Sequence, residues 1–220
     1  MTPICLEVGK QKVFASALEW PGWSRAGRDE AKALAALATA APRYAVVAHE
    51  AGVRFPARLA EEFDVVERLA GSASTDFGVP GAIAAYELEP LSTAAADRLS
   101  RLVAASWTVF DRVVAAAPAE LRKGPRGGGR DRDKIAEHVA GADGMYVTKL
   151  GLRLRAPAPT DTAALTAFRK AVLEALHSAV GAHPVPERQW PPRYAARRIA
   201  WHALDHAWEI EDRTESSASP

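Results

Sequence analysis

The sequence predicts an α+β protein in which a small α/β module precedes a four-helix bundle. Three observations point to this fold class. Apolar and polar residues alternate in short runs within residues 1–70, as they do in half-buried strands. Over residues 99–212 the apolar residues recur at the three- and four-residue spacing of amphipathic helices. Between these parts, "GSASTDFGVPG" (71–81) is rich in Gly, Ser and Pro, which is typical of a connection between domains.

The N-terminal module is expected to contain strands, a tight turn and a helix. Residues 4–8 and 13–17 predict two strands, and "EWPGW" (19–23) ends the second one because Pro and Gly interrupt regular structure. A helix is expected from about Arg28, and Pro42 predicts a kink or a break in it. "FDVVERL" (63–69) alternates again and predicts a further strand.

Four amphipathic helices are predicted after the connection, and four helices joined by loops favour a bundle. Their apolar stripes are Leu99, Leu102, Val103, Trp107, Phe110 and Val114 in the first; Ile135, His138, Ala142 and Met145 in the second; Leu165, Phe168, Val172 and Leu176 in the third; and Ala195, Ile199, His202, His206 and Ile210 in the fourth. We therefore expect a bundle over residues 82–213. The small polar residues at 214–220 predict a disordered tail.

Residues 14–37, "FASALEWPGWSRAGRDEAKALAAL", carry a strand, a Pro-Gly turn, a short strand and a helix that opens with acidic residues. This order resembles the HicB-like fold, a small antitoxin-type α/β module, and the resemblance extends over about residues 3–70. HicB proteins usually add a DNA-binding helix-turn-helix or ribbon module, and the sequence shows no such pattern. The alternative is any other small α/β module with a Pro-Gly turn.

Three of the six histidines lie on the apolar stripes of two predicted helices. His202 and His206 are four residues apart in "RIAWHALDHAWEIED" (198–212), so their rings lie on one face of a helix. His138 lies on the stripe of its own helix. Because an unpartnered imidazole is costly in an apolar core, these residues are either hydrogen-bonded core histidines or ligands of a shared group. Three on two helices favour one metal ion with three nitrogen ligands and room for water or substrate.

The segments "DRDKIAEHVAGADGMYVTKL" (131–150) and "RIAWHALDHAWEIEDR" (198–213) resemble the DinB/YfiT-like superfamily of metal-binding four-helix bundles, and the resemblance covers about residues 99–212. In that family one His of the second helix and an HxxxH pair of the last helix bind a divalent metal. His138, His202 and His206 stand at the matching positions. The resemblance implies zinc or nickel, or else iron, with open coordination positions. It also implies chemistry with low-molecular-weight thiols such as bacillithiol or mycothiol, and a homodimer, since these bundles often pair.

A basic, glycine-rich stretch, "RKGPRGGGRDRDK" (122–134), leads into the second helix of the predicted bundle. Arg126, Arg130 and Arg132, together with backbone amides at the helix start, are candidates for binding an anionic substrate group. The alternative is a flexible connection in which Asp131 caps the helix. In the DinB/YfiT-like arrangement this loop would open toward the metal end of the bundle, which makes it a candidate substrate gate. Tyr146 is a further candidate for substrate binding, because its phenol could point into the pocket or simply pack.

Composition argues against several classes of function. A formal net charge of +1 disfavours nucleic acid as a partner. Cys5 is the only cysteine, so an internal disulfide and a Cys-rich zinc site are excluded, and its place in a predicted strand indicates a buried, inert thiol. No apolar run approaches the roughly 18 residues of a membrane span. The N-terminus lacks the order of a signal peptide, and the expected location is cytoplasmic.

Three functions are compatible with these observations. The first is a metal-dependent enzyme acting on a small-molecule substrate, either a hydrolase or a transferase or isomerase that uses a low-molecular-weight thiol. The second is a binding or regulatory protein, related to antitoxins, in which the bundle is a scaffold. The third is a dimerisation module with buried, metal-free histidines. The sequence names neither the substrate nor a general base.

Overall fold

The computed structural model describes residues 1–124, 128–181 and 186–214, and over these residues the chain forms a four-stranded sheet and seven α-helices. The predicted α+β class is confirmed. The strands are β1 (Thr2–Val8), β2 (Val13–Ala17), β3 (Ser24–Gly27) and β4 (Phe63–Ala70). The helices are α1 (Glu30–Thr39), α2 (Ala41–Glu50), α3 (Ala73–Phe77), α4 (Thr93–Ala116), α5 (Arg132–Lys149), α6 (Thr162–Ser178) and α7 (Pro192–Thr214). None of these helices has both the length and the apolar character that crossing a bilayer requires.

The sheet has the strand order β3-β2-β1-β4. β1 runs antiparallel to β2 and parallel to β4, so the chain crosses over through α1 and α2 before β4 pairs with β1. Every residue of β2 is buried. The reason is that β1 and β3 flank this strand, α1 packs on it, and Phe14 meets Trp201 of α7 edge to face at 6.2 Å between ring centroids.

The helical segment after β3 is broken into two helices, as the proline in it predicts. Asp29 begins α1, because its side chain accepts a hydrogen bond from the backbone N–H of Lys32 at 2.8 Å. Ala40 ends α1 and also precedes α2, and Pro42 lies in the first turn of α2. A proline is tolerated there because the first N–H groups of a helix have no partner within the helix.

The Pro-Gly turn between β2 and β3 packs directly on α7. Gly22 has a φ of 92°, and a Cβ atom at this position would lie 2.8 Å from Cδ1 of Leu204. Trp23 stacks on Tyr44 of α2 at 5.7 Å between ring centroids. The hydroxyl of Tyr44 donates a hydrogen bond to the carbonyl of Pro21 at 2.8 Å. The turn therefore holds the sheet, α2 and α7 together.

The four long helices α4 to α7 correspond to the four that the sequence predicts. α7 packs against both α4 and α5, and α4 packs against α6. Every residue of α7 from Tyr194 to Leu204 is buried. One position of the predicted stripes is wrong: Met145 of α5 is 63% exposed. Seven residues after His138, it lies about 20° from that histidine around the helix axis, at the margin of the face that α5 buries.

A single hydrophobic core extends from the sheet into the helical bundle, including Ile4 and Leu6 of β1 as well as Leu204 of α7. The connection at 71–81 contains α3, so it is not without secondary structure. Beyond it, Arg197 of α7 forms a buried ion pair with Glu87, with Nε 2.6 Å from Oε1. The predicted division into units 1–70 and 82–213 stays a prediction, as do the HicB-like and DinB-like identities of the two parts.

Candidate metal centre

Three histidines meet where α5 and α7 pack against each other. The Nε2 atoms of His138 and His202 lie 3.2 Å apart. The ring of His206 lies 5.0 Å from that of His138 and 4.7 Å from that of His202, measured between ring centroids. One nitrogen of each ring lies within 4.8 Å of one nitrogen of each of the others. The structure thus brings together the three residues that helical register singles out in the sequence.

The histidine cluster is largely withdrawn from solvent. His202 is buried, and His138 and His206 are half-buried. Desolvation, reinforced by the neighbouring His206, lowers the pKa of His202 to about 2 and also lowers the pKa of His138. Both rings are therefore neutral near pH 7, and a neutral imidazole keeps the nitrogen lone pair that binds a metal ion.

A carboxylate orients one of the three rings. Oε2 of Glu209 lies 2.7 Å from Nδ1 of His206, and this hydrogen bond is the largest of the effects that lower the pKa of Glu209. Because an ionised carboxylate only accepts, Nδ1 of His206 carries the proton and Nε2 is left as the potential ligand. Sequence reasoning missed this contact. The available signal was the spacing of three residues, which places both side chains on one face of α7.

Arg213 links Glu209 to the glycine-rich loop before α5. Its NH1 group donates to Oε1 of Glu209 at 2.8 Å and to the carbonyl of Arg130 at 2.7 Å. Its Nε donates to the carbonyl of Arg122 at 2.8 Å. A Cβ atom at Gly129, whose φ is 114°, would lie 2.9 Å from NH2 of Arg213. Arg122 and Arg130, on either side of the loop, are therefore held at the C-terminal end of α7, about two turns beyond His206.

The three arginines that the sequence nominates in this loop have different environments. Arg126 lies outside the described residues. Arg130 is exposed, and its charge contributes to lowering the pKa of His138 and His202. Arg132 is hydrogen-bonded to neighbouring groups of the chain. Its NH1 donates to the carbonyl of Ala117 at 2.8 Å and its Nε donates to Asp133 at 2.8 Å. Of the two described arginines, Arg130 is the one whose charge acts on the histidine cluster.

Tyr146 lies beside the cluster. Its ring is 5.8 Å from that of His202 and 5.3 Å from that of Trp190, measured between centroids. Its hydroxyl accepts a hydrogen bond from NH2 of Arg198 at 3.2 Å. Arg198 is one turn before His202 on α7, so the row of polar groups on α7 continues past the histidines. The sequence pointed to Tyr146 and missed Arg198, although both arginine and histidine follow a four-residue spacing in "RIAWHALDH".

Three further ionisable residues, Asp131, Asp205 and Cys5, have partners or surroundings of their own. Asp131 precedes α5, but its carboxylate accepts from the backbone N–H of Leu121 and from Lys123 rather than capping the helix. Asp205 pairs with Arg25 of β3 at 3.0 Å. Cys5 is buried, as expected, and burial raises the pKa of its thiol to about 12.

Two of the three donor nitrogens have the spacing that a divalent metal ion requires. Zinc–nitrogen bonds of about 2.0–2.1 Å in a tetrahedral site place neighbouring nitrogens about 3.3 Å apart, close to the 3.2 Å between His138 and His202. An N–H···N hydrogen bond between two neutral rings gives a similar separation. The orientation of His206 by Glu209 is the arrangement that metal-binding histidines commonly have. Metal analysis separates these two accounts.

Comparisons of this chain with protein-family models, with curated proteins and with solved structures found no match. The three histidines on α5 and α7 and the polar groups around them are therefore the basis for assigning a function.

Proposed function

We propose that the protein is a metal-dependent enzyme of the DinB/YfiT-like kind, with His138, His202 and His206 as the metal ligands. The observation that carries this proposal is the placement of three ring nitrogens within 4.8 Å of one another at the contact of two helices. Three protein nitrogens and a vacant fourth position are the pattern of catalytic zinc, whereas structural zinc has four protein ligands. Glu209 faces Nδ1 of His206, so it supports that ring and leaves the fourth coordination position vacant.

The residues around the cluster would then bind and orient a small substrate. Glu209 holds His206 in one tautomer, and Arg213 joins Glu209 to the backbone carbonyls of Arg122 and Arg130. Tyr146 lies with its ring 5.8 Å from that of His202 and offers a phenol. A bound divalent metal would supply a Lewis acid that lowers the pKa of a water or a thiol. This chemistry suits a hydrolase, or a transferase or isomerase that uses a low-molecular-weight thiol.

The metal content of untagged protein, purified without chelator, tests the first step. We expect about one zinc, nickel or iron ion per chain in the wild type. His138→Ala should lose this ion, because the substitution removes one of the three ligands. His138 is the ligand chosen because it is half-buried, so its truncation should do little damage to the core. His49→Ala and His177→Ala are matched controls, since both histidines are exposed and lie outside the cluster. Retention of the full metal content by His138→Ala would contradict the ligand assignment.

Cobalt substitution tests whether the metal is accessible. Titration of the cobalt-loaded protein with 2-mercaptoethanol should produce a thiolate-to-cobalt charge-transfer band, since an open position accepts an external ligand. Azide and imidazole should also alter the visible spectrum. A spectrum that none of these ligands changes would indicate a closed site, and the scaffold function related to antitoxins would then replace the enzymatic one.

A further inference from the structure

Arg198 is a buried cation without an acidic partner among the described residues. It is 6% exposed, and no carboxylate oxygen of the described chain lies within ion-pair distance of it. Its NH1 donates to the carbonyl of Pro80 at 2.6 Å, and its NH2 donates to the hydroxyl of Tyr146 at 3.2 Å. Its Nε is buried and has no hydrogen-bond partner. Arg197, the preceding residue, forms an ion pair with Glu87, whereas Arg198 has only neutral hydrogen-bond partners.

A buried guanidinium of this kind is costly unless an anion compensates it. Removing an unpaired charge from water carries a penalty of several kcal/mol even in a relaxed protein interior. Aromatic rings compensate part of it, since the guanidinium carbon of Arg198 lies 5.2 Å from the ring centroid of Trp201 and 5.5 Å from that of Tyr146. Neither these rings nor the neutral Pro80 carbonyl and Tyr146 hydroxyl carry the opposite charge. An anionic ligand would supply it.

Arg198 also borders open space. With Glu7, Ser72 and Tyr194 it lines a cavity of about 330 Å³ between α7 and the end of the β1–β4 pair. Glu7 is the acidic residue of this cavity, but its carboxylate is already occupied. It accepts hydrogen bonds from Thr75 and from the backbone N–H groups at 81 and 82, the latter two at 3.1 and 2.9 Å. Neither Tyr146 nor a histidine of the cluster lines this cavity, so it shows only that Arg198 borders open space beside a carboxylate that is already hydrogen-bonded. The link from Arg198 to the cluster is its hydrogen bond to Tyr146, whose ring lies 5.8 Å from that of His202.

We propose that Arg198, together with the hydroxyl of Tyr146, binds the carboxylate of a small ligand whose other end reaches the three-histidine cluster. This inference rests on the proposed function, because it assigns a ligand class to the same site. An arginine fork matches the two oxygens of a carboxylate. Arg198 and His202 are one helical turn apart, a rise of about 6 Å along α7. The spacing suits a carboxylate joined by two to four bonds to the atom that binds the metal, and 3-mercaptopropionate has this form.

The test compares two thiols on the cobalt-loaded wild type, followed by the charge-transfer band. 3-Mercaptopropionate carries the carboxylate, and 2-mercaptoethanol presents the same thiol without a charge. We expect the dissociation constant of 3-mercaptopropionate to be at least about ten times lower. Equal dissociation constants, with the band present for both thiols, would overturn the Arg198 assignment and leave the metal site intact. This comparison needs no variant, so it does not depend on how a substitution folds.

Variants then locate the effect. Arg198→Met keeps most of the side-chain length and removes the charge, so the preference for 3-mercaptopropionate should vanish while 2-mercaptoethanol binds as before. Arg198→Lys should keep part of the preference, since it retains the charge and loses the fork. Arg193→Met is the matched control on the same helix, because Arg193 contacts Tyr86 and the backbone at 89 and 90 instead. A preference that Arg198→Met retains would overturn the assignment.

A metal-free titration separates this inference from the proposed function. Trp190 and Trp201 lie 5.9 and 5.2 Å from the guanidinium carbon, so propionate at Arg198 should change the tryptophan fluorescence of the metal-free protein. The change should be absent in Arg198→Met. If cobalt gives no band with either thiol but this change is present, the anion site stands and the metal enzyme does not. If the wild type shows no change at molar propionate, the anion site is wrong.

Discussion

The Nε2 atoms of His138 and His202 lie 3.2 Å apart although the two residues are 64 positions apart in the chain. Each comes from a different helix, so the distance is a property of how α5 packs on α7. Because the folded chain assembles these nitrogens and the unfolded chain does not, a metal ion that binds them stabilises the folded state.

Zinc should therefore raise the melting temperature. At a free zinc concentration of 100 times the dissociation constant, the gain is about 2.7 kcal/mol, which corresponds to roughly 5–10 °C for a chain of this size. Thermal unfolding with zinc and with a chelator measures it. His138→Ala should show no zinc-dependent shift, and His177→Ala should behave as the wild type. A shift that survives in His138→Ala would place the zinc elsewhere.

Glu209→Gln should weaken metal binding by about 10- to 100-fold without displacing a ligand. The amide keeps the size of the side chain but replaces the ionised acceptor that faces Nδ1 of His206 at 2.7 Å. Competition with a chromogenic chelator gives the dissociation constants. Glu174→Gln, an exposed glutamate on α6, is the matched control and should leave the affinity unchanged. Equal affinities for Glu209→Gln and the wild type would remove Glu209 from the site.

Asp143 should make stability fall as the pH rises. Burial raises the pKa of this carboxyl from 3.8 in the unfolded chain to about 7 in the folded one, against the smaller opposing effects of Arg169 and of the hydrogen bond from Trp107. The folded state thus holds a proton that the unfolded chain releases. Its contribution to stability is complete below about pH 4, is lost as the pH rises through about 7, and is constant above that.

Asp143→Asn is the variant that tests this dependence. The amide oxygen can still accept from Trp107 Nε1, and no charge is buried above pH 7. The free energy of unfolding of the variant, minus that of the wild type, should be larger at pH 8 than at pH 5 by up to a few kcal/mol. Urea unfolding of metal-free protein at both pH values measures it. Asp97→Asn on the exposed side of α4 should show the same difference from wild type at both. A gap between Asp143→Asn and wild type that does not change with pH would contradict the buried-proton account.

Gly22→Ala should destabilise the fold by about 2 kcal/mol or more. A left-handed backbone costs a non-glycine residue about 1–2 kcal/mol, and the added methyl would meet Leu204 at 2.8 Å. Gly141→Ala is an instructive control, since a Cβ atom there has nothing within 4 Å and the residue lies inside α5. It should gain about 0.5–1 kcal/mol from helix propensity. Chemical unfolding measures both, and a neutral Gly22→Ala would mean that the turn is not seated on α7.

Local patterns in the sequence were sufficient for β1, β2, β4, the long helices α4 to α7 and the register of the histidines, but not for α3, which lies inside the predicted connection. Alternation marks the strands, and the three- and four-residue periodicity marks α4 to α7, because both depend on where neighbouring side chains point along one segment. The pairing of Glu209 with His206 was within reach of the same reasoning. Met145 was beyond it, since whether a position at the margin of a helix face is covered depends on the neighbouring helix.

Tertiary structure alone decided what the polar residues do. Arg197 and Arg198 are adjacent in sequence and similar in burial, yet one meets Glu87 across 110 positions and the other has a carbonyl and a phenol for partners. Arg130 and Arg132 likewise differ although they stand two residues apart, since Arg132 donates to the carbonyl of Ala117 and the charge of Arg130 acts on His138. Helical register tells which way a side chain points. The partner it finds there comes from a distant segment, and the free energy of a buried charge depends on that partner.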